Sequence, residues 1–360
     1  MNEHRTYKGA GVDSEQQDRI MPNLTYWVER TFENRPNTVK LPLGYFANVI
    51  DIGGGVGLAL STDGVGTKIL VAELLHKYDT IGIDCVAMNV NDVLCVGATP
   101  LAMLDYVAVE TPHDDLMGPL VQGLHRGAEL AKITIPGGEI AQVREMIRGL
   151  RPGYAFDLVG TCVGRVDLDK ILTGRNTTEG DVIVGLRSTG VHSNGLSLAR
   201  RVLFDQLKWD PGKYVSELGR AIGEELLEPT RIYVRGVLEM LDKNLNVKAL
   251  AHITSTGFLN LSRADAEVTY ILDSLPEPHP IFGLIQHYSG ISDEEMFFTY
   301  NMGVGFCVVV SPEDADAVRS IAHSHGVESD FIGRTVSDPK KEVRIPHHRL
   351  VGSGGRFHRS

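Results

Sequence analysis

Apolar strand-like runs alternate with helical patterns along this chain, and this alternation limits the possible folds more than any other feature. The first half contains four apolar runs typical of strands, at 55–61, 101–110, 133–136 and 154–166. Patterns with helical spacing separate them, at 69–78, 79–100 and 114–132. The second half restarts the rhythm with strand-like runs at 181–186, 248–253 and 303–310 and helical patterns at 196–203 and 230–241. Such alternation is typical of α/β domains, so the sequence predicts two of them.

The boundary between the two domains is predicted near 166–172, where an apolar run gives way to the charged segment VDLDK. A chain of 360 residues is long enough for two cores. We expect an N-terminal α/β domain at 1–168 and a C-terminal α/β domain at 169–346. Residues 347–360 carry little apolar content, and we expect them to form a mobile tail. A helix is also expected at 23–33, within a polar arm.

The net negative charge of the chain argues against some classes of binding partner. Thirty-five basic against 46 acidic residues give a net charge of −11, which repels nucleic acid and anionic membranes. No apolar run approaches the roughly 20 residues that a membrane-spanning helix needs, and the N-terminus lacks an apolar signal region. We therefore expect a cytoplasmic protein. The four cysteines have no metal-ligand spacing and are interpreted as small core residues.

The segment STDGVGTK at 61–68 is the first of several polar segments suited to chemistry. Gly64 and Gly66 let backbone N–H groups approach phosphate oxygens. Asp63 offers oxygen ligands for Mg²⁺, and Lys68 offers a positive charge for a phosphate. The segment is not a Walker A motif. On spacing alone, a purely structural turn explains it equally well.

The helical pattern at 79–100 carries Asp84, Asn91 and Asp92 within an otherwise apolar run. Asp84 and Asn91 lie two turns apart on one face. Polar groups in such a setting are costly without partners, so they either form an exposed stripe or face a cleft where metal ions offset their charge.

Three further segments are weaker candidates. Glu139 follows two glycines at the end of a strand, a usual place for ligand sites in α/β sheets. In STGVHSNG at 188–195, Ser193 and Asn194 either cap the next helix or, beside His192, bind an anion at its N-terminus. His252 follows a strand, where a single histidine is more often structural.

Together and in this order, these segments resemble the aminoimidazole ribonucleotide synthetase family. The matching strings are YKGAGVD, STDGVGTK, DTIGIDCVAMNVNDVLCVGATP, GGE and FDLVGTCVG in the first half, and GDVIVGL, STGVHSNGLSLAR, LLEPTRIYV, AHIT and YNMGVGFCVVV in the second. They span residues 7 to about 345. The D-x₄-G-A-x-P string beginning at Asp92 and the EPTRIYV string are the most specific.

The resemblance implies a fold and a reaction. The implied fold has two α/β domains with mixed sheets flanked by helices, and the N-terminal sheets join across a homodimer. The implied reaction closes the imidazole ring of formylglycinamidine ribonucleotide with ATP and Mg²⁺. ATP phosphorylates the formyl amide oxygen, an amidine nitrogen attacks that carbon, and phosphate leaves.

The resemblance also implies roles for individual residues. The implied ATP-binding set is Asp63, Gly64, Val65, Gly66, Thr67, Lys68, Asp84 and Asn91. The implied metal ligands are Asp63, Asp84 and Asp92. The implied substrate-binding set is Lys8, Asp13, Glu139, His192, Ser193, Asn194, Gly195, His252 and Thr254. The implied catalytic residues are His192, Lys68 and Asp92.

Two segments depart from the family pattern where substrate is expected. Ser255-Thr256-Gly257 stands where many members carry three glycines, and Ile140 replaces a common threonine after the glutamate. An alternative is therefore another enzyme of the same superfamily, such as a thiamine-monophosphate kinase. A catalytically silent nucleotide-binding dimer is a second alternative, disfavoured because Asp63, Asp84 and Asp92 are all present.

Overall fold

The computed structural model describes Gly9 and residues 14–360, with only the backbone at 14, 15, 17 and 18. Lys8 and Asp13 lie outside the described residues. The first element is helix α1 (Ser14–Arg30), which begins earlier than the helix predicted at 23–33. Within the described residues, no helix is both long enough and apolar enough to cross a membrane.

The first sheet has five strands in the order β1-β2-β5-β3-β4. Its strands are β1 (Asn48–Asp51), β2 (Val56–Gly64), β3 (Thr99–Val109), β4 (Thr134–Gln142) and β5 (Phe156–Asp167). Its helices are α2 (Ile69–Leu75), α3 (Ile81–Leu94) and α4 (Asp114–Ala131). Only β3 and β4 pair in parallel, so the sheet is mixed.

The second sheet has eight strands in the order β15-β14-β13-β10-β12-β6-β11-β9. Its strands are β6 (Val182–Arg187), β9 (Val247–His252), β10 (Val268–Ile271), β11 (Val304–Val310), β12 (Ser329–Ser337), β13 (Val343–Ile345), β14 (Leu350–Ser353) and β15 (Arg356–Arg359). A separate hairpin joins β7 (Tyr214–Val215) to β8 (Arg220–Ala221). The helices are α5 (Leu196–Arg200), α6 (Ile222–Leu226), α7 (Val234–Asp242), α8 (Pro280–Ser289), α9 (Asp293–Thr299) and α10 (Ala315–Ser324). Every residue of β11 is buried, as its unbroken apolar sequence predicts for an interior strand.

Helices α3 and α4 cross at unusually short range on one face of the first sheet. A Cβ at Gly82 would lie 2.1 Å from the backbone nitrogen of Leu124, so only glycine allows this approach. The opposite face of the sheet carries Leu104 and Tyr106, which are 48% and 43% exposed. The first sheet therefore has one packed face and one face, here called the open face, that no element of the described chain covers at Leu104 and Tyr106.

Three expectations about local structure need correction. Residues 61–64 belong to β2, so only 65–68 form the turn. Helix α7 begins at Val234, four residues later than predicted, and the Arg231 carbonyl, which a longer helix would bond to its own backbone, accepts from the Asn91 amide. Residues 347–360 are not a loose tail. Strands β13, β14 and β15 pair in succession, and the Gly354-Gly355 turn, with φ of 57° and 78°, suits a tight hairpin.

The four cysteines, Cys85, Cys95, Cys162 and Cys307, are all buried and unpaired. Burial raises the pKa of each thiol above its ordinary value, to about 12 for Cys162. They serve as small core residues, as their apolar surroundings in the sequence predict.

Candidate active site at the junction of the two domains

A buried ion pair between Lys68 and Asp84 lies where the two domains meet. Lys68 Nζ is 2.9 Å from each Asp84 carboxylate oxygen, and neither side chain is exposed. Lys68 also donates to the carbonyl of Glu228 at 2.6 Å. Asp84 Oδ1 accepts bonds from the backbone nitrogen and the hydroxyl of Thr230, both at 2.7 Å. The pair therefore ties the turn after β2 and helix α3 to the segment before α7.

This placement differs from the roles expected for Lys68 and Asp84. Lys68 was expected to meet a phosphate and Asp84 a metal ion, but in this structure each faces the other and the protein interior. A buried charge needs its partners, so the two groups stabilise each other in this position, and the phosphate role of Lys68 and the metal role of Asp84 stay predictions. Their position indicates that they hold the two domains in register.

Asn91 makes a second connection between the domains. Its amide oxygen accepts a bond from the backbone nitrogen of Tyr233 at 3.1 Å, and its amide nitrogen donates to the carbonyl of Arg231 at 2.9 Å. Asn91 is fully buried, so it lies inside the junction, and its predicted contact with ATP stays a prediction. Both partners belong to the EPTRIYV string, whose residues 228–233 form neither a helix nor a strand.

Of the three predicted metal ligands, Asp63 and Asp92 are partly accessible, whereas Asp84 is buried. Burial first, and the nearby charge of Asp92 second, together raise the pKa of Asp63 to about 6. The Asp63 backbone is held on both sides by Asn89, whose amide oxygen and nitrogen lie 3.0 and 3.1 Å from the Asp63 nitrogen and oxygen. Asp92 Oδ1 lies 2.9 Å from His252 Nδ1.

The donor set around Asp63 and Asp92 fits Mg²⁺ with a bound polyphosphate. In the described part of the chain, no group of three or more His, Cys, Asp or Glu residues is arranged to hold a metal ion. Mg²⁺ does not require such a cage, since it is commonly bound by one or two carboxylates together with substrate phosphates and water. Two neighbouring carboxylates, one with a raised pKa, form a site where a cation would offset repulsion.

The loop at 188–195 presents His192 in the left-handed backbone region, with φ of 63°. His192 Nε2 accepts backbone N–H bonds from Thr189 at 3.1 Å and from Arg231 at 3.5 Å. Burial, followed by neighbouring positive groups, lowers the pKa of His192 well below its ordinary value. The ring is therefore neutral, with its proton on Nδ1. That buried atom has no hydrogen-bond partner in the described structure.

The neighbours of His192 contact both domains. Ser193 Oγ lies 3.2 Å from Asp84 Oδ1, and Asn194 Oδ1 accepts a bond from Ser255 Oγ at 3.1 Å. Gly195 has φ of 79°, and a Cβ there would lie 2.2 Å from the Tyr300 ring. The loop can therefore take this path only with glycine at 195.

The turn 65–68 contacts helix α5, which directly follows the loop 188–195. Thr67 Oγ1 lies 2.8 Å from the hydroxyl of Ser197 in α5. Val65 is buried, with its nitrogen bonded to the Leu158 carbonyl at 3.2 Å, while Gly66 has φ of 70°. Sequence reasoning missed Asn89 and Ser197, since neither has a distinctive spacing.

Glu139 and Thr254 complete the predicted set. Thr254 is half-buried and follows β9 directly after His252 and Ile253. Glu139 is exposed on β4, opposite Tyr106, and so lies on the open face. Strand β4 is three strands from β2, which separates Glu139 from Asp63 by roughly 14 Å across the sheet. Within one chain, the structure does not bring Glu139 to the junction.

The two halves of the chain match two family models. Residues 44–166 match AIR synthase related protein, N-terminal domain, and residues 178–346 match AIR synthase related protein, C-terminal domain. A phosphoribosylformylglycinamidine cyclo-ligase from Methanocaldococcus jannaschii is 48% identical over 349 residues, which are 96% of this chain and 95% of that protein. One from Methanothermobacter thermautotrophicus is 47% identical, over 94% and 96% of the two chains.

Solved structures show the same fold at low sequence identity. A thiamine-monophosphate kinase from Stenotrophomonas maltophilia has a TM-score of 0.59 at 18% identity, over 88% of this chain and 93% of that one. T. maritima PurL complexed with ATP has a TM-score of 0.54 at 17% identity, over 83% of this chain and 43% of that one. The matched domains and the near-full-length identity agree on one family: the chain belongs to the AIR synthase family, and its fold is the mixed α/β fold of that family's two domains.

Proposed function

We propose that this chain closes the imidazole ring of formylglycinamidine ribonucleotide in an ATP-dependent reaction that yields aminoimidazole ribonucleotide, ADP and phosphate. The observation that carries this assignment is 48% identity to a phosphoribosylformylglycinamidine cyclo-ligase over 96% of the chain. In this reaction the terminal phosphoryl group of ATP is transferred to the formyl amide oxygen. An amidine nitrogen then attacks the carbon that bears this oxygen. The bond between that carbon and the phosphorylated oxygen breaks, and phosphate is released.

Positioning and charge neutralisation are the main needs of such a phosphoryl transfer, and the junction supplies groups for both. Asp63 and Asp92 would hold Mg²⁺, which when bound neutralises the polyphosphate. The backbone of Gly66 would approach the phosphates, since nothing lies within 4 Å of the place that a Cβ would take there. Gly64, whose N–H is bonded to Asp63 Oδ1 at 2.8 Å, remains a proposed phosphate contact by resemblance. These assignments are supported by the partial exposure of Asp92 and the raised pKa of Asp63.

His192, Ser193 and Asn194 would face the ribonucleotide substrate. Neutral His192 carries its proton on Nδ1, so the ring would donate a hydrogen bond from that atom to an oxygen that gains charge. Lys68, Asp84 and Asn91 would act indirectly, by holding the domains in register. Lys8 and Asp13, outside the described residues, remain proposed substrate contacts by resemblance.

We propose a homodimer formed through the open face of the first sheet. Large apolar side chains such as Leu104 and Tyr106 are exposed there, and sheets rarely leave such a face uncovered. Glu139 shares this face, so a second copy is the candidate route by which Glu139 reaches a substrate. The unpaired cysteines and the use of ATP favour the cytoplasm as the compartment.

The direct test supplies the purified protein with formylglycinamidine ribonucleotide, ATP and Mg²⁺. We expect equal amounts of ADP, phosphate and aminoimidazole ribonucleotide. Asp63→Asn is the control that should lose at least about 100-fold in rate while unfolding cooperatively like the parent. Absence of the imidazole product, together with turnover of thiamine monophosphate, would reject the proposal.

A further inference from the structure

His252 is a fully buried histidine whose two ring nitrogens both meet side chains of helix α3. Nδ1 lies 2.9 Å from Asp92 Oδ1, and Nε2 lies 3.4 Å from the Asn91 amide nitrogen. A histidine with only a packing role usually satisfies its nitrogens with backbone groups or water. Here the ring links a C-terminal-domain strand to a carboxylate of the N-terminal domain.

The proton on the His252 ring can be placed from the network. The Asn91 amide oxygen accepts a bond from the Tyr233 nitrogen, so the opposite end of that amide is its NH₂ group. The NH₂ group donates, and therefore His252 Nε2 must accept. A neutral ring that accepts at Nε2 carries its proton on Nδ1, and this proton is donated to Asp92.

The Arg263 guanidinium acts on Asp92 through its charge, and one of the two Asp92 oxygens has no hydrogen-bond donor in the described part of the chain. Oδ1 is bonded to His252, while Oδ2 makes no hydrogen bond within the described part of the chain. The Asp92 side chain is 17% exposed, in contrast to fully buried His252. Asn89, which bonds both sides of the Asp63 backbone, lies one helical turn before Asp92 on α3, so Asp63 and Asp92 lie beside the same face of that helix. Oδ2 is therefore the Asp92 atom available to a cation that Asp63 shares.

We propose that His252 is a positioning residue for the metal site: its Nδ1–H fixes the Asp92 carboxylate so that Oδ2 and Asp63 together bind Mg²⁺. This inference rests on the proposed function, since it takes Asp63 and Asp92 as the metal ligands. Groups that hydrogen-bond a ligating carboxylate orient it, and their loss typically costs about 10- to 100-fold in metal affinity.

The arrangement also makes the metal site depend on domain contact. His252 ends β9 in the C-terminal domain, and Asn91 is held by the carbonyl of Arg231 and the nitrogen of Tyr233. If the C-terminal domain moved away, Asp92 would lose its donor. A bound metal would therefore favour the closed contact, and closed contact would favour metal binding.

A pair of amide substitutions tests the role of Nδ1 without removing polarity from the site. The amide nitrogen of His252→Asn lies near the place of Nδ1, whereas that of His252→Gln reaches toward Nε2. We expect His252→Asn to keep Mn²⁺ affinity within about threefold of the parent. His252→Gln should weaken Mn²⁺ binding about 10- to 100-fold. Free Mn²⁺ is measured by electron paramagnetic resonance, on full-length protein saturated with ADP.

Two controls separate this role from folding and from the proposed function. His279→Gln changes a different histidine, which is partly buried and bonded to the carbonyl of Ser188 at 3.0 Å, and it should leave Mn²⁺ affinity unchanged. Asp92→Asn should weaken Mn²⁺ binding strongly, and adding His252→Gln to it should weaken binding little further.

Each outcome bears on one claim. Parent-like Mn²⁺ binding by Asp92→Asn would overturn the metal site itself. Weak binding by Asp92→Asn with parent-like binding by His252→Gln would overturn the positioning role alone. Equal losses in His252→Asn and His252→Gln would also overturn it, because the place of the donor would then not matter.

Discussion

Lys68 Nζ and the Asp84 carboxylate lie 2.9 Å apart with neither side chain exposed, although the two residues are 16 positions apart in the sequence. Removing one partner leaves an uncompensated buried charge. We therefore expect Lys68→Met to lower the free energy of unfolding by about 3–5 kcal/mol. Urea unfolding followed by circular dichroism measures this loss.

A matched control uses the exposed ion pair between Lys77 and Asp79, whose side chains are 46% and 48% exposed. Lys77→Met should cost less than about 1 kcal/mol, because solvent screens that pair. Similar losses in Lys68→Met and Lys77→Met would contradict the structural role of the buried pair.

His192 should make the stability of the protein depend on pH. Burial lowers the pKa of His192 in the folded chain, whereas the unfolded chain has an ordinary value near 6.5. Below about pH 6.5, His192 binds a proton in the unfolded state but not in the folded state. The free energy of unfolding therefore falls as the pH falls through this range. His192→Gln does not titrate and should show a shallower decline. The midpoint of urea unfolding is measured for the parent and for His192→Gln between pH 5 and 8. If the two midpoints changed with pH in parallel, His192 would not be buried in its neutral form.

Thr256 should accept glycine with a gain in stability, while its neighbour Gly257 should not accept alanine. Thr256 has φ of 70°, a conformation that costs a β-branched residue roughly 1–2 kcal/mol. The flexibility of glycine in the unfolded chain offsets part of the gain, leaving about 0.5 kcal/mol for Thr256→Gly. A Cβ at Gly257 would lie 1.9 Å from the Phe297 carbonyl oxygen, so Gly257→Ala should cost at least about 2 kcal/mol.

Thermal unfolding of the two single variants measures these opposite effects. A destabilised Thr256→Gly variant would show that Thr256 makes contacts which outweigh its backbone strain.

The open face of the first sheet gives a prediction about assembly. Tyr106→Asp places a charge among exposed apolar side chains, where a second copy would have to desolvate it. We expect the parent to sediment as a dimer and Tyr106→Asp as a monomer of about half that mass. Tyr214→Asp is the control: Tyr214 is 66% exposed on the separate hairpin and should not affect mass. A parent that sediments as a monomer would reject the proposed dimer.

The sequence predicted the order and type of most elements because their burial follows local apolar patterns. Strand β11 and helix α3 are examples, since each depends mainly on its own run of residues. The family resemblance, carried by ordered motifs, was confirmed by the matched domains. These features require no knowledge of which distant segments meet.

The contacts between the two domains could not be predicted from local sequence patterns. Lys68, Asp84 and Asn91 look like ligand-binding groups in isolation, and only the folded chain shows that 228–233 supplies their partners. The start of α7 was predicted too early for the same reason, because Asn91 bonds the Arg231 carbonyl that a longer helix would use. The C-terminal hairpin was missed because only Leu350, Gly352 and Phe357 are buried in strands of four residues.

The burial of all four cysteines has a practical consequence. Their thiols are hidden, and their raised pKa values leave almost no thiolate at neutral pH. A maleimide dye added to the folded protein would therefore find no native site to label. One new cysteine on each domain surface would create the two attachment points for fluorescence energy transfer, and domain approach upon ligand addition could be followed in an otherwise unaltered chain.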